Sequence, residues 1–233
     1  MAKSSNTSKR ESRSQSIEDY LKAVYEITLN SERASTNAIA ANLDIAAASV
    51  TGMLQKLADS KPPLLHYLKH RGVKLTKPGL KIALETIRHH RLLELFLVQI
   101  LGYEWHEIHD EADRLEHVIS ERFEEKIAKA LGDPEHDPHG DPIPRADLSI
   151  PESSQTLLSG LKVGDQGMVE RVRDTFPDLL EYLSEQGLIP GAIFLVSKIS
   201  AVDNNLHIVV NGKDHEIVLG PRACNQVYVD ISD

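Results

Sequence analysis

The densest group of side chains that could bind a metal ion lies in HDEADRLEH, residues 109–117. On a helix, with about 100° per residue, Asp113 and Glu116 fall on the same side as His109. His117 joins them, so that four potential ligands share an arc of roughly 100° on one face. Carboxylate and imidazole donors suit borderline-to-hard divalent cations such as Mn²⁺ and Fe²⁺ better than soft metals. The spacing therefore predicts a metal site on this face.

A second pair of candidate ligands precedes this segment. His90 and Glu94 are four residues apart in an apolar stretch, and this spacing places both on one face of a helix. Two antiparallel helices would bring this pair close to the face that carries His109. The competing interpretation is a solvated helix surface, because acids are mostly exposed and His–Glu pairs at this spacing also stabilise helices. Taken together with the four candidate ligands at 109–117, this pair favours metal binding over a solvated surface.

The elements that position these residues begin with a predicted winged helix-turn-helix. Apolar residues repeat with helical spacing over 17–29, 35–42 and 46–60, and two short strands are expected over 64–76. The last of these helices would enter the major groove of DNA with its N-terminal end. Its small residues and the cations nearby are the candidate DNA contacts, namely Ala46, Ala48, Ser49, Thr51, Lys56 and Arg71.

Helices and then short strands are predicted for the rest of the chain. Residues 80–101 and 105–131 have the apolar stripe of amphipathic helices. A stretch rich in Pro, Gly and Asp then leads to about five short β-branched segments, typical of an SH3-like β-barrel. The expected fold class is mostly α with a small β domain. The expected boundaries are a disordered arm at 1–15, a winged helix-turn-helix DNA-binding domain at 16–77, a helical metal-binding and dimerisation domain at 78–148, and an SH3-like domain at 149–233.

Composition limits the class of protein. The 233 residues include 26 Lys and Arg against 35 Asp and Glu, and this net charge of −9 by itself argues against nucleic-acid binding. The charge is uneven, however, because residues 1–80 hold 12 basic and 7 acidic residues and could face a polyanion. The single cysteine, Cys224, excludes a disulfide scaffold and favours a cytoplasmic protein. The sequence contains no apolar run long enough for a membrane span and no secretion signal at its start.

Four stretches carry a resemblance to a known family. HHRLLELFLVQILG at 89–102, IHDEADRLEHVIS at 108–120 and PHGDPIP at 138–144 resemble the diphtheria-toxin-repressor family of metal-dependent transcription regulators. SIEDYLKAVYEI at 16–27 resembles the first helix of that family. The likeness covers nearly the whole chain, including a C-terminal SH3-like, FeoA-like domain. It implies a homodimer that binds a double-stranded DNA operator when loaded with metal and represses metal-uptake genes.

The resemblance also implies how the candidate ligands divide between two sites. The primary site would use Asp19, Asp113, Glu116 and His117, and the ancillary site would use His90, Glu94 and His109. Iron-sensing members have Met and Cys where this chain has Asp19 and Asp113, so the chain resembles the manganese-sensing members. Hard oxygen donors favour Mn²⁺ over later metals, which makes Mn²⁺ the expected cofactor and Fe²⁺ the alternative. Members with two adjacent ions have an acid one turn after Asp19, whereas this chain has Lys22 there.

The expected mechanism is a switch and not catalysis. Without metal, the carboxylates of the primary site would repel one another, and a cation would neutralise them and set the spacing of the two DNA-reading helices in the dimer. Two other interpretations stay open, namely a metallohydrolase that uses the same carboxylates and a winged-helix regulator that binds no metal. Replacing Asp113 by Ala would separate the three interpretations. It would abolish metal-dependent DNA binding in a metal switch and turnover in a metallohydrolase, and it would do little in a regulator that binds no metal.

Overall fold

The computed structural model of the chain describes residues 4–173, 177–211 and 215–231. In this part of the chain no helix is long and apolar enough to cross a lipid bilayer. The chain divides into two compact units, each with residues from more than one stretch. The first unit comprises residues 1–90, 115–119 and 146–148, and the second comprises residues 91–114, 120–145 and 149–233.

The first unit contains a helix-turn-helix with a two-stranded wing, as the sequence predicts. Its elements are α1 (Ser4–Leu29), α2 (Thr36–Asn42), α3 (Ala47–Ala58), β1 (Leu65–Leu68) and β2 (Gly72–Leu75). Ser35 begins α2, because its hydroxyl accepts a hydrogen bond from the Ala38 N–H. The two strands pair antiparallel, with Leu65 opposite Leu75. The predicted order of helices and wing is therefore confirmed.

One apolar core joins the elements of this unit. Buried residues recur every three or four positions on α1 and α3, so that one face of each helix is apolar. Burying a side chain the size of leucine contributes about 1.5–3 kcal/mol relative to leaving it exposed. The core thus connects α3, the predicted DNA-reading helix, to α1 through α2 and the wing. Its main members are Tyr20, Leu21, Val24, Ile39, Val50, Leu54, Leu57, Leu65 and Val73.

Helix α1 extends further towards the N-terminus than the sequence analysis predicted. It begins at Ser4, and the expected disordered arm over residues 1–15 stays a prediction. Residues 1–3 lie outside the described part. The segment contains neither Gly nor Pro, and nothing in it therefore stops a helix that is anchored by the apolar face further along α1.

A glycine is required where the wing turns into β2. Gly72 has a φ of +89°, and a Cβ atom there would lie 2.4 Å from the carbonyl oxygen of Ala34. Ala34 also pairs with Val73, with backbone N–O distances of 3.0 and 2.9 Å. The positive φ and the close approach of another backbone are both conditions that only glycine meets without strain.

Three helices follow the wing, namely α4 (Lys77–Leu101), α5 (Ile108–Leu115) and α6 (Glu121–Ala130). Gly102, with a φ of +74°, follows the last residue of α4, as predicted. The prediction of a single helix over 105–131 was wrong, because the backbone leaves the helix after Leu115. Ser120 begins α6 by accepting a hydrogen bond from the Phe123 N–H, and serine favours this N-cap position. Glu116 and His117 consequently lie in a turn and not on the face of α5.

The C-terminal part of the second unit is a small β domain, as expected. Its strands form one antiparallel sheet in the order β6-β5-β4-β3-β7, in which bulges interrupt the registers of β3 with β7 and of β4 with β5. A core of apolar side chains, with Phe194 as its largest buried member, packs against this sheet. The elements are β3 (Gln166–Val172), α7 (Pro177–Glu185), β4 (Ile193–Ile199), β5 (Leu206–Val210), β6 (Glu216–Leu219), α8 (Pro221–Cys224) and β7 (Val227–Ile231), with a short 3₁₀ helix at Leu158–Gly160.

Cys224 should be unreactive in the folded protein. It is fully buried in the core of the β domain, and this burial raises the pKa of its thiol to about 11. Because only the thiolate attacks a disulfide, we expect an aromatic disulfide reagent at mildly alkaline pH to modify the native chain only as fast as the β domain opens. The same reagent should react at once in guanidinium chloride. Immediate modification of the native chain would contradict the buried position.

Candidate metal centre

Three of the four predicted primary-site ligands converge within the first unit. His117 Nε2 lies 2.8 Å from Asp19 Oδ1 and 3.2 Å from Glu116 Oε1. Asp19, Glu116 and His117 each offer a donor atom, and these atoms all lie within 4.8 Å of one another. Asp19 belongs to α1, whereas the other two belong to the turn after α5. Two carboxylates and one imidazole around one point fit a divalent cation of borderline-to-hard character.

The ionisation of His117 reflects its acidic surroundings. Burial alone would lower the pKa of His117, but hydrogen bonds with Asp19 and Glu18 and the charge of Glu116 outweigh it and raise the pKa to about 9. His117 Nδ1 lies 2.6 Å from Glu18 Oε2, so both ring nitrogens face a carboxylate. The ring is therefore an imidazolium at neutral pH, and Nε2 must lose its proton before it can bind a metal ion.

Glu116 has cationic or hydrogen-bonding neighbours on both of its oxygens. Its Oε2 atom lies 2.8 Å from Lys22 Nζ and 2.6 Å from His90 Nδ1, while Oε1 faces His117. Burial alone would raise the pKa of Glu116, but the hydrogen bond with His90 and the charge of Lys22 outweigh it and lower the pKa. The mutual repulsion expected among the carboxylates is thus offset by Lys22 and by protonated His117.

Two residues that contact this cluster, Lys22 and Glu18, were not predicted from the sequence to do so. Lys22 is three residues after Asp19 on α1, and residues at this spacing share a helix face, so the signal for its position was present. Glu18 gave no such signal, because adjacent residues on a helix point about 100° apart. Its contact with His117 depends on the course of the turn after α5, which helical periodicity did not predict.

The remaining predicted ligands make their contacts within one unit or within the other. In the second unit, His109 Nδ1 lies 3.3 Å from Glu94 Oε1, and His109 Nε2 lies 3.6 Å from Asp113 Oδ2. Glu94 is buried and His109 is half-buried. His90 belongs to the first unit, where its Nδ1 atom contacts Glu116. The structure therefore brings the predicted ancillary ligands Glu94 and His109 together, with Asp113 as a further neighbour of His109.

The loop at 137–142 is held by a network of acids and arginines within the second unit. Asp137 Oδ1 accepts hydrogen bonds from the backbone N–H groups of His139 and Asp141, at 2.8 and 2.9 Å. Arg91 Nε lies 3.5 Å from Asp137 Oδ2, and Arg171 of β3 donates to Asp141 Oδ1 at 3.0 Å. Burial, reinforced by the charge of Asp141, raises the pKa of Asp137 well above its ordinary value. The network links α4 and β3 through this loop.

The predicted DNA contacts form an accessible surface on α3 and the wing. Ala46, Ala48, Ser49, Lys56 and Arg71 are exposed, whereas Thr51 is half-buried, with its hydroxyl oxygen 3.5 Å from the Ala47 carbonyl oxygen. The contact of these residues with DNA stays a prediction. Exposed Gln55 on α3 was missed, although a glutamine amide can bind adenine with two hydrogen bonds.

Three family models match successive parts of the chain. Residues 13–73 match the N-terminal DNA binding domain of iron dependent repressors, and residues 76–145 match their metal binding and dimerisation domain. Residues 156–231 match the FeoA domain. The iron-dependent repressor IdeR of Mycobacterium leprae is 30% identical over 218 residues, which cover 88% of this chain and 92% of that protein. The chain belongs to the iron-dependent repressor family.

A further relative and two solved structures are also similar to this chain. The diphtheria toxin repressor of Corynebacterium diphtheriae is 29% identical over 208 residues, which cover 86% of this chain and 91% of that protein. A manganese-dependent transcriptional repressor solved in complex with manganese superposes with a TM-score of 0.85 at 34% identity, over 93% of this chain and all of that one. The manganese regulator SloR superposes with a TM-score of 0.76 at 32% identity, over 93% and 98% of the two chains.

Proposed function

We propose that this member of the iron-dependent repressor family is a metal-activated transcriptional repressor that binds a double-stranded DNA operator as a homodimer. The observation that carries the proposal is the convergence of Asp19, Glu116 and His117. Asp19 is two residues before Leu21 on α1, and Leu21 lies in the same core as Leu54 of the predicted DNA-reading helix. A cation held by Asp19 would therefore fix α1, whose buried face shares one apolar core with α3.

The residues of the cluster would act by fixing α1 to the turn after α5. A bound divalent cation supplies positive charge that the surrounding carboxylates can share. Asp19 would hold α1 to the site, while Glu116 and His117 would hold the turn. The 2.6 Å contact between His117 Nδ1 and Glu18 Oε2 keeps the ring oriented so that Nε2 faces Asp19. The result is a fixed position for α3, which a dimer needs in order to place two such helices at the correct spacing on DNA.

Mn²⁺ is the metal that the donor set favours. The three converging residues offer oxygen and nitrogen atoms, and oxygen-rich sites suit Mn²⁺ better than soft metals. The one thiol of the chain, Cys224, is buried in the core of the β domain. A manganese-dependent repressor is among the similar structures, and the relatives named for iron make Fe²⁺ the alternative.

We also propose that Asp113 completes the primary site and that His90, Glu94 and His109 form the ancillary site. The family resemblance supports this division between the two sites, and the contact of His109 with Glu94 supports the ancillary site. The DNA-binding role of Ala46, Ala48, Ser49, Thr51, Lys56 and Arg71 is proposed in the same way, from their place on α3 and the wing.

Catalysis is the less favoured use of these carboxylates. In the first unit, His117 faces a carboxylate at each ring nitrogen, which suits a ligand held in one orientation. A metallohydrolase would in addition need an open coordination position and a bound substrate. Replacing Asp113 by Ala should remove metal-dependent DNA binding, whereas a hydrolase would lose turnover and a regulator without metal would change little.

The proposed function predicts that metal switches DNA binding on. We expect a promoter fragment of a metal-uptake gene to bind the full chain tightly with Mn²⁺, and at least about 10-fold more weakly with excess chelator, which corresponds to about 1.4 kcal/mol. The measurement is fluorescence anisotropy of the labelled fragment at fixed salt, because phosphate contacts make affinity depend strongly on salt. Fe²⁺ is tested under anaerobic conditions.

The arms of this titration separate the claims. Equal binding with Mn²⁺ and Fe²⁺ would keep the switch and contradict the selectivity for Mn²⁺. Equal binding in chelator would contradict the switch itself. A scrambled fragment of the same length and base composition is the control for non-specific attraction to phosphates.

A further inference from the structure

Gly52 lies inside α3, where a glycine is unfavourable for the fold. It is the sixth of the twelve residues of this helix. Glycine in a helix interior is destabilising relative to alanine, because it loses more backbone freedom on folding. The backbone at Gly52 is helical, and any L-residue can adopt that conformation. Local conformation therefore does not explain why position 52 is a glycine.

Packing within the described part of the chain does not explain Gly52 either. A Cβ atom built at this position would have no heavy atom within 4 Å, apart from its chain neighbours and the backbone of its own helix. Gly79, near the start of α4, is the contrasting case, because a Cβ atom there would overlap the Leu64 carbonyl oxygen. The fold thus accounts for Gly79 and leaves open space beside Gly52.

This open space is on the side of α3 that faces away from the core. The nearest buried residues, Val50 and Leu54, are each two positions from Gly52, which corresponds to about 200° of rotation around the helix. The exposed residues three or four positions away share the outward face with Gly52, and they are Ala48, Ser49, Gln55 and Lys56. Gly52 is thus at the centre of the surface proposed to contact DNA, in a segment that matches a DNA binding domain.

The chemistry of this surface indicates which part of a base fits beside Gly52. A glycine lets a ligand approach the helix backbone closely, and position 52 itself offers no side-chain donor or acceptor of hydrogen bonds. Ala48, one turn earlier, adds an exposed methyl group. Among the base edges in the major groove, thymine alone presents a methyl group, which makes apolar contacts with side chains such as alanine. A thymine methyl group is therefore the ligand that fits the space.

We infer that Gly52 is a specificity-determining residue, at which the backbone of α3 accepts the methyl group of one operator thymine in each half-site. The inference rests on the proposed function, since it presumes that α3 enters the major groove of an operator. It adds a base preference to that function, namely a thymine opposite Gly52. It also gives the glycine a physical reason, because a Cβ atom at position 52 would occupy the place of the thymine methyl group.

The test adds one methyl group to the protein and removes one from each half-site of the DNA. Gly52→Ala should raise the melting temperature of the chain by a few degrees, because alanine stabilises a helix interior. In Mn²⁺ the same variant should bind the promoter fragment at least about 10-fold more weakly, as expected for one mismatched contact with a base pair. Thymidine is then replaced by deoxyuridine, which lacks the methyl group, at one symmetric pair of positions at a time. At the matching pair, this change should restore most of the affinity lost by Gly52→Ala and weaken wild-type binding by about 3- to 4-fold, the loss of one buried methyl group.

The controls leave this contact untouched. Deoxyuridine outside the half-sites should not change the binding of either chain. A scrambled fragment of the same length and base composition should bind both chains equally, since contacts with phosphates do not depend on the side chain at position 52. The affinity for Mn²⁺ without DNA should also be equal, because Gly52 lies on α3 and none of the proposed metal ligands does.

A Gly52→Ala chain that binds the promoter fragment as tightly as the wild type would overturn the inference. Weaker binding that no deoxyuridine substitution relieves would overturn it as well, because Gly52 would then not face a thymine methyl group. A wild-type chain that binds the promoter fragment and the scrambled fragment equally in Mn²⁺ would instead contradict the proposed function, and with it the presumption on which the role of Gly52 rests.

Discussion

Replacing Glu116 by Gln should abolish metal-activated DNA binding while leaving the chain folded. Gln retains the shape of the side chain but removes the charge that binds a cation and pairs with Lys22. Substitution of a residue that only hydrogen-bonds to a metal ligand typically costs about 10–100-fold in metal affinity. Loss of Glu116, which would bind the metal itself, should therefore cost at least about 100-fold. Mn²⁺ affinity by calorimetry and DNA affinity by anisotropy should fall together.

The matched control is Glu107→Gln, which removes the same charge at an exposed position before α5. It should bind Mn²⁺ and DNA as the wild type does. Circular dichroism of Glu116→Gln in chelator checks that helix content is retained. A Glu116→Gln chain that binds DNA in Mn²⁺ as tightly as the wild type would show that this cluster is not the regulatory site.

Replacing Leu54 by Ala should destabilise the DNA-binding unit by about 2–5 kcal/mol. Leu54 is fully buried on α3 and belongs to the core that joins α3 to α1 and the wing. The substitution removes apolar contacts and leaves a cavity that a packed core closes only in part. The denaturant midpoint of the transition that reports helix loss should fall accordingly, and DNA affinity should fall with it.

Leu68→Ala is the control for Leu54→Ala. Leu68 is also a leucine of the first unit, but it lies on β1 and is 43% exposed, so its truncation should cost well under half as much. Metal added in excess should raise the midpoint of both variants, because a ligand that binds only the folded state stabilises it. Equal midpoints for the two variants would contradict the packing of α3 described above.

Periodicity was sufficient to predict the helix-turn-helix and α4 because buried apolar residues, such as Leu21, Leu54 and Leu93, recur on one face of each helix. It failed after Leu115, where the apolar stripe continues in sequence but the backbone turns and restarts at Ser120. A helical wheel cannot detect such a break, since the pattern of Val118 and Ile119 fits either a helix or a turn. The N-cap preference of serine was the available signal.

The candidate site was predicted in its residue types and not in its contacts. Asp19, Glu116 and His117 were assigned to one site from the resemblance, and the structure brings them together. The contact of Glu18 with His117 depends on the turn after α5 and was not accessible from spacing. The offsetting charge of Lys22 was visible at position 22 in the sequence, but its contact with Glu116 requires the tertiary fold.

We expect metal at the cluster and DNA at α3 to favour the same state of the chain. The most direct test is the Mn²⁺ affinity of the full chain measured with and without a saturating promoter fragment. Linkage requires that DNA raise the affinity for Mn²⁺ by the same factor as Mn²⁺ raises the affinity for DNA. We expect that factor to be equal in both directions and to be lost in Glu116→Gln. A Mn²⁺ affinity that does not change when the fragment is added would contradict the claim.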